Sequence, residues 1–298
     1  MTALPLPSHM PALHDPEGSL VPSGLPPVVD GHVHLFPDRV FNALWRWFAQ
    51  YGWPIRYPLH SEQVIDFLLA HGVEHIVGLH YAHKPGMARN LNRYMADLCA
   101  GRARVTGLAT VFPGEPHAVA ILEEAWAAGL RGVKLHCHVQ CFAPDDPALH
   151  EIYALCAARG SPLVMHAGRA PWSSGYRCNP NDICGAERIS RVLKDYPRLR
   201  LCVPHLGADE FEAYASLLAR FDNLWLDTTM MLSDYLPDRP PDRVLTLRPE
   251  RMFYGSDFPN LPYAWDRELL HLRKSRLPDD TLARLLNGTA RDFFQLAM

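Results

Sequence analysis

The chain has 298 residues, of which 48% are hydrophobic and 20% charged, so it can bury a sizeable core, and α/β barrels of this length form single domains. Its net charge of −3 and pI of about 6.6 give no basic field for nucleic acid or an anionic membrane. Apolar runs are short and broken by Pro or Gly, which excludes a membrane span; the first Lys or Arg is Arg39, too late for the charged region of a signal sequence; and the seven cysteines, an odd number, fall mostly within expected core elements. These features read as a reduced, cytoplasmic protein without nucleic-acid or membrane partners.

Residues 1–27 contain seven prolines and little periodicity, and read as an extended or disordered N-terminal arm, leaving 28–298 as one domain. A strand is expected over 28–35. The segment 36–59 that follows is rich in aromatics, with a short helix over 41–50; it is either a lid or an aromatic plug on the core. A regular alternation then begins. Ser61 can cap a helix with Val64, Ile65 and Leu68 on one face, closed by Gly72. Strands are expected over 75–79, 104–111, 132–136, 162–166, 199–205, 224–228 and 251–255. Helices are expected between them over 87–99, 117–128, 150–159, 186–195 and 209–220, and after them over 266–274 and 281–295. Eight strands alternating with helices predict a parallel sheet closed as a (β/α)8 TIM barrel, with an open doubly wound sheet as the structural alternative. No G-x-G-x-x-G or phosphate-loop pattern follows any strand.

In such a barrel the chemistry collects at the C-terminal ends of the strands. Strand one carries D-G-H-V-H, and an extended backbone puts Asp30, His32 and His34 on one face. Strand four ends in Lys134, His136 and His138, strand five in His166, strand six in His205, and the strand-eight turn G-S-D-F-P supplies Asp257. Ionisable groups are costly to bury unpaired, and a divalent cation is the common partner that would gather them. His32, His34, His166 and Asp257 are the expected ligands of a single ion, zinc first and manganese as the alternative. Asp257 is also the expected proton shuttle, and His205 is expected to polarise a substrate carbonyl or join in proton transfer. Arg169 and Arg177, in the loop after strand five, suit bidentate carboxylate binding, with surface salt bridges as the alternative. His136 and His80 are expected to contact substrate.

D-G-H-V-H, G-V-K-L-H, M-H-A-G, P-H-L-G and G-S-D-F-P, in that order, resemble the amidohydrolase superfamily, and within it the amidohydrolase-2 branch with its aminocarboxymuconate-semialdehyde and resorcylate decarboxylases. The resemblance runs from about Val28 to Phe294 and takes in N-G-T-A-R-D-F-F near the end. It implies a metal-dependent distorted barrel, with the family's metal and catalytic positions falling on His32, His34, His166, His205 and Asp257. It also implies that Lys134 could bridge two metals if carboxylated, although the branch usually uses one metal. Barrels of this kind are often dimers or larger.

Cys137, Cys141, His136 and His138 have the look of a Cys/His metal cluster, but strand alternation points Cys137 away from its neighbours; Cys178 and Cys184 read as free thiols. Asp227 could cap, pair with an arginine or touch substrate. The reading that follows is a hydrolase acting through metal-activated water on a small carboxylate-bearing ester, lactone or amide. Its alternatives are a metal-dependent non-oxidative decarboxylase of an aromatic or dienoic acid, and a barrel that binds metal or ligand without catalysis.

Overall fold

The computed structural model describes residues 12–236, 240–241 and 243–297. Eight strands follow one another: β1 Val29–His34, β2 His75–Leu79, β3 Val105–Gly107, β4 Val133–His136, β5 Pro162–His166, β6 Arg200–Val203, β7 Leu224–Asp227 and β8 Met252–Phe253. Each pairs in parallel with its neighbour in sequence, giving one sheet of β1 to β3 and one of β4 to β8. Two seams close them into a barrel. A parallel bridge joins Ala109 to Val133, and Gly31 N donates to Tyr254 O (3.0 Å) while Asp257 N donates to His32 O (2.9 Å).

The strands are nearly continuous in apolar residues because both faces are buried. Val29, Val77, Leu108, Val164, Cys202 and Phe253 pack inside the barrel, whose base is plugged by Phe293 and Phe294 of the terminal helix Thr289–Phe294. Neighbours of opposite parity, such as Ile76, Leu135, Leu163 and Leu201, pack outward against the helices. β1 breaks this rule once. Val29 lies inside, yet Val33 and Leu35 lie outside, and the register with β2 shifts between Asp30 and Val33. The shift reverses the phase of the strand. His32 and His34 therefore face the barrel mouth, whereas Asp30, expected on the same face, instead ties β1 to the loop after β8, accepting from Ser256 Oγ (2.5 Å) and Ser256 N (3.0 Å).

The helices form where apolar residues recur at helical spacing. Ser61–Ala70 buries Val64, Ile65 and Leu68, but its cap is His60 rather than Ser61, whose hydroxyl donates to Phe36 O (2.9 Å). The expected terminal helix over 281–295 is divided into Asp279–Ala283, a π-type turn at Arg284–Gly288, and Thr289–Phe294. The aromatic segment contains a helix, Asp38–Tyr51, laid over the barrel mouth. It is joined to the loop after β5 by Ser173 Oγ donating to Tyr51 O (2.9 Å) and Trp47 Nε1 donating to Gly175 O (3.4 Å). Of the expected N-terminal arm, residues 1–11 lie outside the described residues. The remainder packs on the barrel, through Trp265 Nε1 to Gly18 O (3.0 Å) and Arg267 to Asp15 (2.7 Å). Among the described residues no helix is long and apolar enough to cross a membrane.

Candidate active site

At the C-terminal end of the strands lies a cavity of about 540 Å³. Trp47, Phe48 and Trp53 wall it from the aromatic segment, Tyr81 from the end of β2 and Tyr176 from the loop after β5; His34, Lys134, His136, His166, His205 and Asp257 line its floor. These floor groups are all buried.

His32 and His34 converge on one oxygen. His34 Nε2 lies 3.0 Å and His32 Nε2 3.4 Å from Asp257 Oδ1. On its other side His32 Nδ1–H donates to Asp227 Oδ2 (2.8 Å), which leaves Nε2 as the lone-pair nitrogen of a neutral ring. The ring stays neutral because burial, and then the positive Lys134, push its pKa down to about 4. Burial would raise the Asp257 pKa, but His34 and His32 beside it outweigh that and bring it down to about 2. A lone pair and a carboxylate oxygen thus face each other at 3.4 Å with no proton between them. A divalent cation bound by both relieves that repulsion, so the donor set fits a metal ion.

Asp257 sits in the left-handed region (φ 71°), which a short polar side chain tolerates. Its backbone is fixed by the bond to His32 O, and Asn260 N donates back to Asp257 O (2.9 Å). Among the described residues Asp227, at the end of β7, neither caps a helix nor pairs with an arginine. Its Oδ2 accepts from His32, while its Oδ1 accepts from His205 N (2.9 Å) and Thr229 N (3.2 Å). Burial opposes its ionised form, yet His32 holds its pKa well below the usual carboxylate range. One buried carboxylate thereby orients the His32 ring and pins the turn after β6. Asp227→Asn keeps the Oδ1 contacts but sets an amide N–H against His32 Nδ1–H. Zinc affinity is expected to fall about 10- to 100-fold, as for other partners of metal-facing histidines; a chelator-competition titration showing wild-type affinity contradicts this role.

His205 Nδ1–H donates to Thr229 O (3.0 Å), so its Nε2 is an acceptor, 3.1 Å from His166 Nδ1. A neutral His205 can accept a proton or bind a cation, but it has no N–H left to polarise a carbonyl. One ligand atom from each of His32, His205 and Asp257 lies within 4.8 Å of the others. His166 groups with His136 and His138, and its Nδ1 also lies 3.1 Å from His205 Nε2 of the first group. His136 lines the cavity, stacked on His166 at 4.2 Å between ring centroids. Lys134 Nζ is fully buried without a hydrogen-bond partner among the described residues, and burial brings its pKa down to about 8 against the pull of Asp227 and Asp257.

Two expected substrate contacts lie elsewhere. His80 has the parity of Ile76 and Gly78, so it points outward and meets Asn92 Oδ1 (3.1 Å); the next residue, Tyr81, reaches the cavity in its place. Arg169 is drawn to Asp209 (3.6 Å) and Glu210 (3.3 Å), and the guanidinium that lines the cavity is Arg177. The strand-four thiols meet those of the following loop: Cys137 contacts Cys184, and Cys141 contacts Cys178, with all seven cysteines free.

The fold is shared with solved structures of low identity. An uncharacterized TIM-barrel protein from Bordetella bronchiseptica is 20% identical, with a TM-score of 0.68 over 91% of this chain and 99% of that one. The 5-carboxyvanillate decarboxylase of Sphingomonas paucimobilis is 18% identical, with a TM-score of 0.64 over 91% and 99%. That of Novosphingobium aromaticivorans, complexed with manganese and 4-hydroxy-3-methoxy-5-nitrobenzoic acid, is 16% identical, with a TM-score of 0.66 over 94% and 100%. No curated protein matches the chain. The Amidohydro_2 family model, described as amidohydrolase, matches residues 29–296, from β1 to beyond the terminal helix, and the chain belongs to that family.

Proposed function

We propose that this protein is a metal-dependent hydrolase of a small, planar, carboxylate-bearing ester, lactone or amide. The observation that carries the reading is the convergence of His34 Nε2 (3.0 Å) and His32 Nε2 (3.4 Å) on Asp257 Oδ1 at the floor of an aromatic-walled cavity. His32, His34, His166 and Asp257 would hold the ion, zinc or manganese. A divalent cation there supplies Lewis acidity, polarising a carbonyl and bringing the pKa of water towards about 7.

The chain's own groups do the rest. Trp47, Phe48 and Tyr81 hold a flat ring by stacking and edge contacts. Arg177 at the wall pairs with the substrate carboxylate. Asp257 accepts the proton of the attacking water and returns it to the leaving group. Lys134 Nζ, otherwise unpartnered, donates to the oxygen on which negative charge develops.

The aromatic walls also favour a second reading, non-oxidative decarboxylation of an aromatic acid, the activity that names two of the solved relatives. An apolar wall disfavours a carboxylate and favours neutral CO2. The two reactions separate in H2(18)O. With a zinc-loaded protein and a panel of carboxylated aryl esters and lactones, the proposal expects 18O in the newly formed carboxylate. Release of CO2 from hydroxybenzoates, with the esters untouched, overturns hydrolysis in favour of decarboxylation.

A further inference from the structure

We propose an oxidative modification site at the cavity wall: Cys141 and Cys178 form a disulfide when a peroxide reaches them, tying the turn after β4 to the loop after β5. The site is independent of the reaction proposed above. Both thiols lie against one backbone oxygen. Cys178 Sγ donates to His138 O (3.3 Å), and Cys141 Sγ donates to the same atom (3.6 Å). The two thiols also contact each other. Sulfurs that share an acceptor and touch are placed to close to a bond of about 2.05 Å.

The chain brings the pair together from two sides. β4 ends at His136, and the turn Cys137–Gln140 leads into Cys141, which sits in the left-handed region (φ 54°) with its N–H donating to Cys137 O. His138 in that turn is tied to the loop after β5, its Nε2–H donating to Gly168 O (2.7 Å). Cys178 directly follows Tyr176 and Arg177, two residues of the cavity wall. The Tyr176 ring lies 5.2 Å from Trp47 and 5.1 Å from His138 between centroids. A bridge at Cys178 therefore fixes the stretch of wall that carries Arg177.

Exposure separates this pair from the other one. Cys141 and Cys178 are half-buried, open to a small oxidant, whereas Cys137 and Cys184 are buried. Burial, and then the contact with Cys141, push the Cys178 thiol up to about 12, so Cys178 keeps its proton and reacts second. The Cys141 sulfur, as thiolate, attacks one peroxide oxygen; the O–O bond breaks, leaving a sulfenic acid and releasing water. The Cys178 sulfur then attacks the Cys141 sulfur. The S–S bond forms, the S–O bond breaks, and the Cys178 proton leaves with the hydroxyl as a second water. The two thiols together lose two electrons and two protons, and the peroxide is reduced to water. A thiol reductant reopens the bond by exchange, which makes it a transient mark in a reducing compartment.

The test is a count of thiols by intact mass. The full chain is treated with hydrogen peroxide, quenched with catalase, unfolded and alkylated with N-ethylmaleimide. Wild type is expected to take up two labels fewer than its seven cysteines allow, and to recover both after dithiothreitol. Cys141→Ser is expected to keep every remaining thiol. Cys178→Ser, lacking the second thiol, is expected to hold a sulfenic acid at Cys141 that dimedone traps. A wild-type chain that keeps all its labels overturns the proposal, as does a loss of two labels that persists in both variants. Tandem mass spectrometry of unreduced wild-type peptides reads the partners without any variant: Cys141 joined to Cys178 supports the site, and Cys137 joined to Cys184 in its place overturns it.

Discussion

Asp257→Asn is expected to lower kcat by about 1,000-fold, within the range for removing a general acid–base group. The substitution is nearly isosteric. Asparagine keeps an oxygen for His34 Nε2 (3.0 Å in the native protein) and tolerates the left-handed backbone at φ 71°. The loss therefore reports charge and basicity, not a collapsed turn. Circular dichroism should be unchanged and zinc affinity reduced. A variant within tenfold of wild-type turnover contradicts the assignment of Asp257 as base.

The largest effect on stability is expected at Gly207. The turn after β6 strings together Leu206 (φ 51°), Gly207 (φ 82°) and Ala208 (φ 54°), a run that an L side chain resists. At Gly207 there is no room either: a Cβ would lie 2.0 Å from Tyr214 Cδ2 and 2.3 Å from its Cγ, and Tyr214 is fully buried. Left-handed strain and overpacking together predict a loss of about 3 kcal/mol or more for Gly207→Ala. Gly101 separates the two causes. It has φ 74° with nothing within 4 Å of a Cβ, so Gly101→Ala should cost only about 1 kcal/mol. Denaturant midpoints compare the two directly, and equal losses would contradict the packing argument. His205 begins this turn, so the same change should also disturb the cavity floor.

The barrel was legible in the sequence because its signals are local. Strands buried on both faces give apolar runs, helices give a 3.6-residue spacing, and β2 and β5 have their expected bounds, 75–79 and 162–166. The polar residues at the strand ends were legible for the same reason. What the sequence did not carry is phase and partner. A register shift inside β1 separates Asp30 from His32 and His34, and no residue type announces it. His80 was misplaced because β2 keeps strict alternation to its end, where Tyr81, not His80, faces the cavity. Arg169 was misplaced because its partners, Asp209 and Glu210, lie forty residues on and meet it only in the folded barrel. Asp227 left one signal, an aspartate ending an otherwise apolar strand, L-W-L-D. Its two roles depend on His32 and His205 arriving from other strands.

The most direct test of the account is anomalous scattering from crystals grown with zinc or manganese. A peak is expected bonded to His32 Nε2, His34 Nε2 and an Asp257 oxygen, at about 2.1 Å from each. Well-ordered crystals in the same metal solution with no peak at Asp257, and with His32 Nε2 still facing a bare carboxylate, would contradict it.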